Sequence, residues 1–189
     1  MNGLYQAASD LQSFCSARQW RFCFIGGLAL IRWGEPRQTH DADLTLLTGF
    51  DDEERYLREL LTAFAPRRDD AAEFALRNRV LLLQASNGIP LDISLADLPF
   101  EERLINRASG FEYLPGLALT TASAEDLVVL KAFAGRYRDW ADIEGVIIRQ
   151  GNTLDWNLVI AELTPLCELK GSPETVERLL QLRDQLAED

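Results

Sequence analysis

A chain of 189 residues, 47% hydrophobic and 26% charged, has room for one globular domain or a core with an appended lobe. Its net charge of −11 is unlike that of a dedicated nucleic-acid binder, so any contact with RNA must come from a local basic patch or a basic partner. Acidity suits a site whose carboxylates hold divalent cations.

No apolar run nears the roughly 18–20 residues that span a bilayer. The start MNGLYQAASDLQSF has neither the basic residues nor the apolar stretch of a signal peptide, so a cytoplasmic protein with no membrane partner is expected. Cys15, Cys23 and Cys167 are odd in number and far apart, which predicts buried free thiols. The single histidine, His40, argues against a multi-histidine metal site and against a histidine-based triad.

In chain order, Leu4, Ala7, Ala8, Leu11 and Phe14 give helical spacing over residues 4–18. Arg21 to Ile25 reads as a buried strand, ending at Gly26-Gly27. Leu28 to Trp33 is a short helix stopped by Gly34, with Pro36 beyond. A strand is predicted over 41–47 and an acid-opened helix over 51–65. Strands over 79–85 and 89–95 flank the hairpin signal Asn87-Gly88. Residues 100–107 form a short helix, and 111–119 an extended pair broken at Pro115-Gly116.

From Ser123 the pattern turns helical. Ser123 and Asp126 form a capping box with Asp in place of Glu, opening a helix to about Tyr137. Residues 139–150 continue helical up to Gly151. Asp155 and then Ser172-Pro173 open two more helices. The expected fold is α/β (α+β), with a core over 1–120 and a helical extension over 121–189.

Asp41 and Asp43 carry the chemical argument. Residues two apart on a strand point to one face, so both carboxylates project together. Their repulsion is tolerable where a cation sits between them, and magnesium takes carboxylate and phosphate oxygens. Asp92 sits in the apolar run Ile89-Pro90-Leu91-Asp92-Ile93, where an unpartnered carboxylate is costly. On a neighbouring strand it would complete a two-ion site. A lone D-x-D is more often a solvated edge, and a lone Gly-Gly is usually a turn. Their order gives them weight: strand, Gly-Gly, short helix, loop, then the strand bearing D-x-D.

The order Phe24-Ile25-Gly26-Gly27, Asp41-Ala42-Asp43, Leu91-Asp92-Ile93 resembles the signature of the polymerase-β-like nucleotidyltransferase superfamily. The longer string Gly26-Gly27-Leu28-Ala29, Gly34, Arg37, Thr39, Asp41-Ala42-Asp43-Leu44 resembles the AbiEii-type abortive-infection toxins and the related MenT toxins. A second block, Ser123 to Leu127 with Lys131, Arg136, Arg138-Asp139 and Asp142, is similar to a motif of the same branch.

The resemblance implies a mixed sheet flanked by helices and a nucleotide donor bound with Mg2+ at Asp41, Asp43 and Asp92. Gly26, Gly27 and Lys131 would contact the nucleotide. Arg37, Thr39, Arg138 and Asp142 would support the site. From the residues alone, Lys131 either snorkels to water or meets an anion, and Arg136 and Arg138 either contact phosphate or pair with nearby acids. The implied activity is nucleotide transfer to an acceptor, tRNA for some members, by a toxin with a cognate antitoxin. Two other functions remain open: transfer to a small cationic molecule, as aminoglycoside nucleotidyltransferases do, and a catalytically silent binding protein.

Overall fold

The computed structural model describes residues 2–188 of the chain. It divides into two compact units. One comprises the residues up to Leu28 with Gln38–Ala122; the other comprises Ala29–Arg37 with the residues from Ser123 onward. The sheet unit runs α1 (Asn2–Ala17), β1 (Phe22–Phe24), the start of α2 (Gly26–Trp33), β2 (Ala42–Leu47), α3 (Glu53–Ala63), β3 (Ala65–Pro66), α4 (Ala71–Asn78), β4 (Val80–Gln84), β5 (Pro90–Ala96), α5 (Pro99–Arg107), β6 (Ser109–Leu114) and β7 (Leu117–Thr121). The helical unit holds α6 (Ala124–Ala134), α7 (Tyr137–Gln150), α8 (Trp156–Lys170) and α9 (Glu174–Glu188). No helix among the described residues is long and apolar enough to cross a membrane.

The fold is the mixed α/β arrangement expected, a seven-stranded sheet in the order β3-β4-β5-β2-β1-β7-β6. β2 pairs parallel with β5, and β1 parallel with β7; the other neighbours are antiparallel. Alternation of side chains explains why the central strands lie as they do. Ala42, Leu44 and Leu46 of β2, and Leu91, Ile93 and Leu95 of β5, are at most 2% exposed and share one core. Leu4, Ala7, Ala8 and Leu11 of α1 pack into that core with Leu57 and Leu60 of α3. The intervening residues Asp43, Asp92 and Ser94 are half-buried and, by the period of two, belong to the opposite face.

Among the boundaries that differ from those predicted, three bear on the candidate residues. α2 begins at Gly26, so the two glycines form its first turn rather than a turn before it. β2 begins at Ala42, leaving Asp41 just outside the strand. α6 ends at Ala134 because Gly135 turns left-handed (φ +67°), and Tyr137 starts α7. β3 and α4, over residues 65–78, have no counterpart in the sequence reading.

The caps follow the sequence. Asp126 N–H donates to Ser123 Oγ at 3.1 Å, and that hydroxyl donates back to Asp126 Oδ2 at 2.9 Å. Leu158 N–H donates to Asp155 Oδ1 at 3.1 Å, capping α8. All three cysteines are buried free thiols, and burial pushes the Cys15 thiol up to about 12, well outside the range of a nucleophile at neutral pH.

Leu44 has no exposed surface at the centre of β2. Leu44→Ala is expected to cost about 2–5 kcal/mol in urea unfolding, through lost burial and the cavity left behind. A loss under about 1 kcal/mol would contradict this packing.

Candidate active site

The pairing of β2 with β5 puts Asp43 directly beside Asp92, as Cα partners in register on parallel strands. Asp41 lies two residues upstream of Asp43, where β2 starts. One carboxylate oxygen from each of Asp41, Asp43 and Asp92 lies within 4.8 Å of the others. All three are half-buried. This is a hard-oxygen donor set with side-chain spacing that a divalent cation bridges, and it matches magnesium better than a soft metal.

Thr39 Oγ donates to Asp41 Oδ1 at 3.0 Å and fixes the carboxylate that lies outside the strand. The glycines fit around these residues. Gly26 takes φ +55°, and a Cβ there would fall 2.7 Å from Asp43 Cγ. At Gly27 a Cβ would fall 2.7 Å from Thr39 Cβ. Both positions therefore need glycine to admit Asp43 and Thr39. The first-turn N–H groups of α2 open beside the same carboxylates, where a helix start favours an anion.

A cation that the sequence reading did not single out meets the cluster from the edge of the sheet. Arg67 follows β3, and its Nη2 donates to Asp92 Oδ1. Burial raises the Asp92 carboxyl above its ordinary value and the negative charge of Asp41 adds to this, while Arg67 pulls it down; the net direction is up. No sequence pattern marks Arg67, because its position depends on the backbone bond from Arg67 N–H to the Leu82 carbonyl, 3.0 Å.

The second group of sequence-selected residues lies in the helical unit. Lys131 is 6% exposed; its Nζ lies 2.5 Å from Asp142 Oδ2 and 3.3 Å from Asp139 Oδ1. The anion that meets this lysine is thus a pair of its own unit's carboxylates. Arg37 grips Asp142 bidentately, Nε to Oδ1 at 2.9 Å and Nη2 to Oδ2 at 3.0 Å. Arg136 bonds Asp139 through its Nε at 2.7 Å, while Arg138 is exposed. For Asp139 and Asp142 burial pushes the carboxyl up, but bonds and charge from Lys131, Arg136 and Arg37 outweigh it and hold both below the ordinary value. Thr39 and the glycines thus join the three aspartates in the sheet unit, while Lys131, Arg37 and Asp142 form an ion-pair network within the helical unit.

The sheet order and the in-register acidic pair describe a nucleotidyltransferase-like fold. An antigenic nucleotidyltransferase-like protein from Paracoccidioides brasiliensis shares it, with a TM-score of 0.53 and 15% identity over 95% of this chain and 93% of that one. The antibiotic-resistance factor ANT(2'')-Ia in solution aligns with a TM-score of 0.46 and 15% identity, over 98% of this chain and 94% of that one. No curated protein matched. The family described as nucleotidyl transferase AbiEii toxin, type IV TA system, matches residues 11–164, and the chain belongs to that family.

Lys131→Met removes the cation between two buried carboxylates. Breaking such a pair costs up to roughly 3–5 kcal/mol; Arg37 and Arg136 remain as partners, so the lower end is expected by urea unfolding. Because the folded pKa values of Asp139 and Asp142 are depressed, their pairing contributes stability that is fully present above the unfolded value of about 3.9. That contribution is lost as pH falls through the folded values. The melting temperature of the wild type should therefore drop below about pH 4, and more steeply than that of Lys131→Met. Equal slopes would contradict the network.

Proposed function

We propose that this chain transfers a nucleoside monophosphate from a nucleoside triphosphate to an acceptor hydroxyl, with Mg2+ held by Asp41, Asp43 and Asp92. The observation that carries the reading is the in-register pair Asp43 and Asp92, with Asp41 joining them inside 4.8 Å. When bound, magnesium neutralises phosphate charge and makes the acceptor hydroxyl a better nucleophile.

The chain's own residues do the rest. Asp43 and Asp41, the latter steadied by Thr39, face the donor side, beside the first turn of α2. The Gly26 and Gly27 N–H groups cradle the donor phosphates. Asp92 stands by the acceptor and accepts its proton. The acceptor oxygen then forms a bond to the α-phosphorus while the bond to the pyrophosphate oxygen breaks in line, and pyrophosphate leaves. Positioning and charge neutralisation drive such a transfer, so no cysteine or histidine nucleophile is needed.

Lys131 was expected to meet nucleotide phosphate. Its burial against Asp139 and Asp142 supports a different part, anchoring Arg37 through Asp142. Arg138, exposed beside this network, remains the candidate there for contact with nucleic acid.

Membership of a toxin family supports a cytoplasmic toxin restrained by a cognate antitoxin, with tRNA the first acceptor to test. The net charge of −11 favours a second reading, a small cationic acceptor drawn to an acidic cleft. Transfer from each α-labelled nucleoside triphosphate, with and without Mg2+, should be assayed on pooled tRNA and on aminoglycosides. Label on tRNA only with Mg2+, lost at least about a hundredfold in Asp41→Ala and Asp43→Ala with the fold intact, is the expected result. Label on aminoglycosides alone establishes the second reading. Full activity in either variant refutes the carboxylate assignment, and transfer to neither acceptor moves the assignment to a silent binding protein.

A further inference from the structure

Resting on the transferase reading above, we infer that Arg67 is the acceptor-side specificity residue, binding a phosphate of a nucleic-acid strand next to the attacking hydroxyl. The sheet order sets the direction. Gly26 follows β1 and touches Asp43 of β2; Asp92 lies one strand further, on β5; Arg67 comes from the β3 edge beyond β4. If the donor phosphates occupy the Gly26–Gly27 end, the acceptor enters from the Arg67 end.

The guanidinium is only partly engaged. One nitrogen, Nη2, donates to Asp92 Oδ1, and its other donors have no protein partner among the described residues. Its neighbour Arg68 contrasts with it. Arg68 spends its fork on both oxygens of Asp70, at 2.8 and 3.0 Å, and lies over the Phe74 ring at 4.3 Å. The Arg67 side chain is 30% exposed, enough to reach solvent while Asp92 steadies it. A planar fork with spare donors beside an acceptor site matches a phosphodiester and repels a cationic acceptor. In a chain of net charge −11, such a local cation has to supply much of the attraction for a polyanion.

The test uses the full chain, Mg2+ with a non-hydrolysable nucleoside triphosphate analogue, and a short single-stranded RNA with a free terminal hydroxyl. RNA affinity is measured over a range of salt for wild type, Arg67→Ala, Arg67→Lys and Arg68→Ala. Nucleotide binding is followed separately by thermal shift. Arg67→Ala should weaken RNA binding at least about tenfold and lower the salt slope by about 1. Arg67→Lys should recover part of the loss, Arg68→Ala should stay within about twofold and bind nucleotide as the wild type does, and in Arg67→Ala nucleotide binding should change far less than RNA binding.

A merely structural Arg67 gives another pattern: nucleotide binding falls in Arg67→Ala while RNA affinity does not, which overturns the inference. A wild type that binds nucleotide but not RNA overturns the inference and leaves the transferase reading standing. Absence of magnesium-dependent nucleotide binding in the wild type overturns both.

Discussion

Like-charge repulsion among Asp41, Asp43 and Asp92 is the constraint around which the sheet unit is organised. With oxygens inside 4.8 Å, each pair repels by roughly 3 kcal/mol at an effective dielectric of about 20. A cluster of that kind persists where the scaffold fixes the backbone and supplies compensating groups. Here the parallel pairing of β2 and β5 fixes Asp43 against Asp92, the Thr39 hydroxyl steadies Asp41, and the Arg67 guanidinium bonds Asp92. The apolar side chains alternating with these acids, Leu44, Leu91 and Ile93, hold the two strands in that register.

The glycine pair follows from the same constraint. Gly26 accommodates the Asp43 carboxylate and Gly27 accommodates Thr39, so the start of α2 can lie against the acids at all. The requirement for glycine comes from the protein's own side chains. The helical unit holds a different charge cluster. Lys131, Arg37 and Arg136 pair with Asp139 and Asp142, which accounts for a lysine and two aspartates being buried there.

The sequence made the triad legible because its signals are local: the two-residue spacing of Asp41 and Asp43, the isolation of Asp92 in an apolar strand, and the hairpin at Asn87-Gly88 that makes β4 and β5 neighbours. Caps at Ser123 and Asp155 were legible for the same reason. What stayed hidden depends on tertiary contact. β3 is two residues long and owes its place to pairing with β4, so neither it nor Arg67 leaves a periodic trace. The partner of Lys131 could not be chosen between water and an anion until α7 brought Asp139 and Asp142 to it. The assignment of residues 29–37 to the helical unit goes with an Arg37–Asp142 pair spanning 105 positions, which no local pattern predicts.

The proposed function turns on these three carboxylates holding magnesium together with a nucleoside triphosphate. The most direct measurement is a thermal melt of the wild type and Asp43→Asn with each nucleoside triphosphate, with and without magnesium. A ligand at a hundred times its dissociation constant adds about 2.7 kcal/mol, or roughly 5–11 °C for a chain of this size. Such a rise is expected for the wild type with at least one nucleotide, only when magnesium is present, and none for Asp43→Asn. An equal rise without magnesium or in the variant, or no rise with any nucleotide, would contradict it.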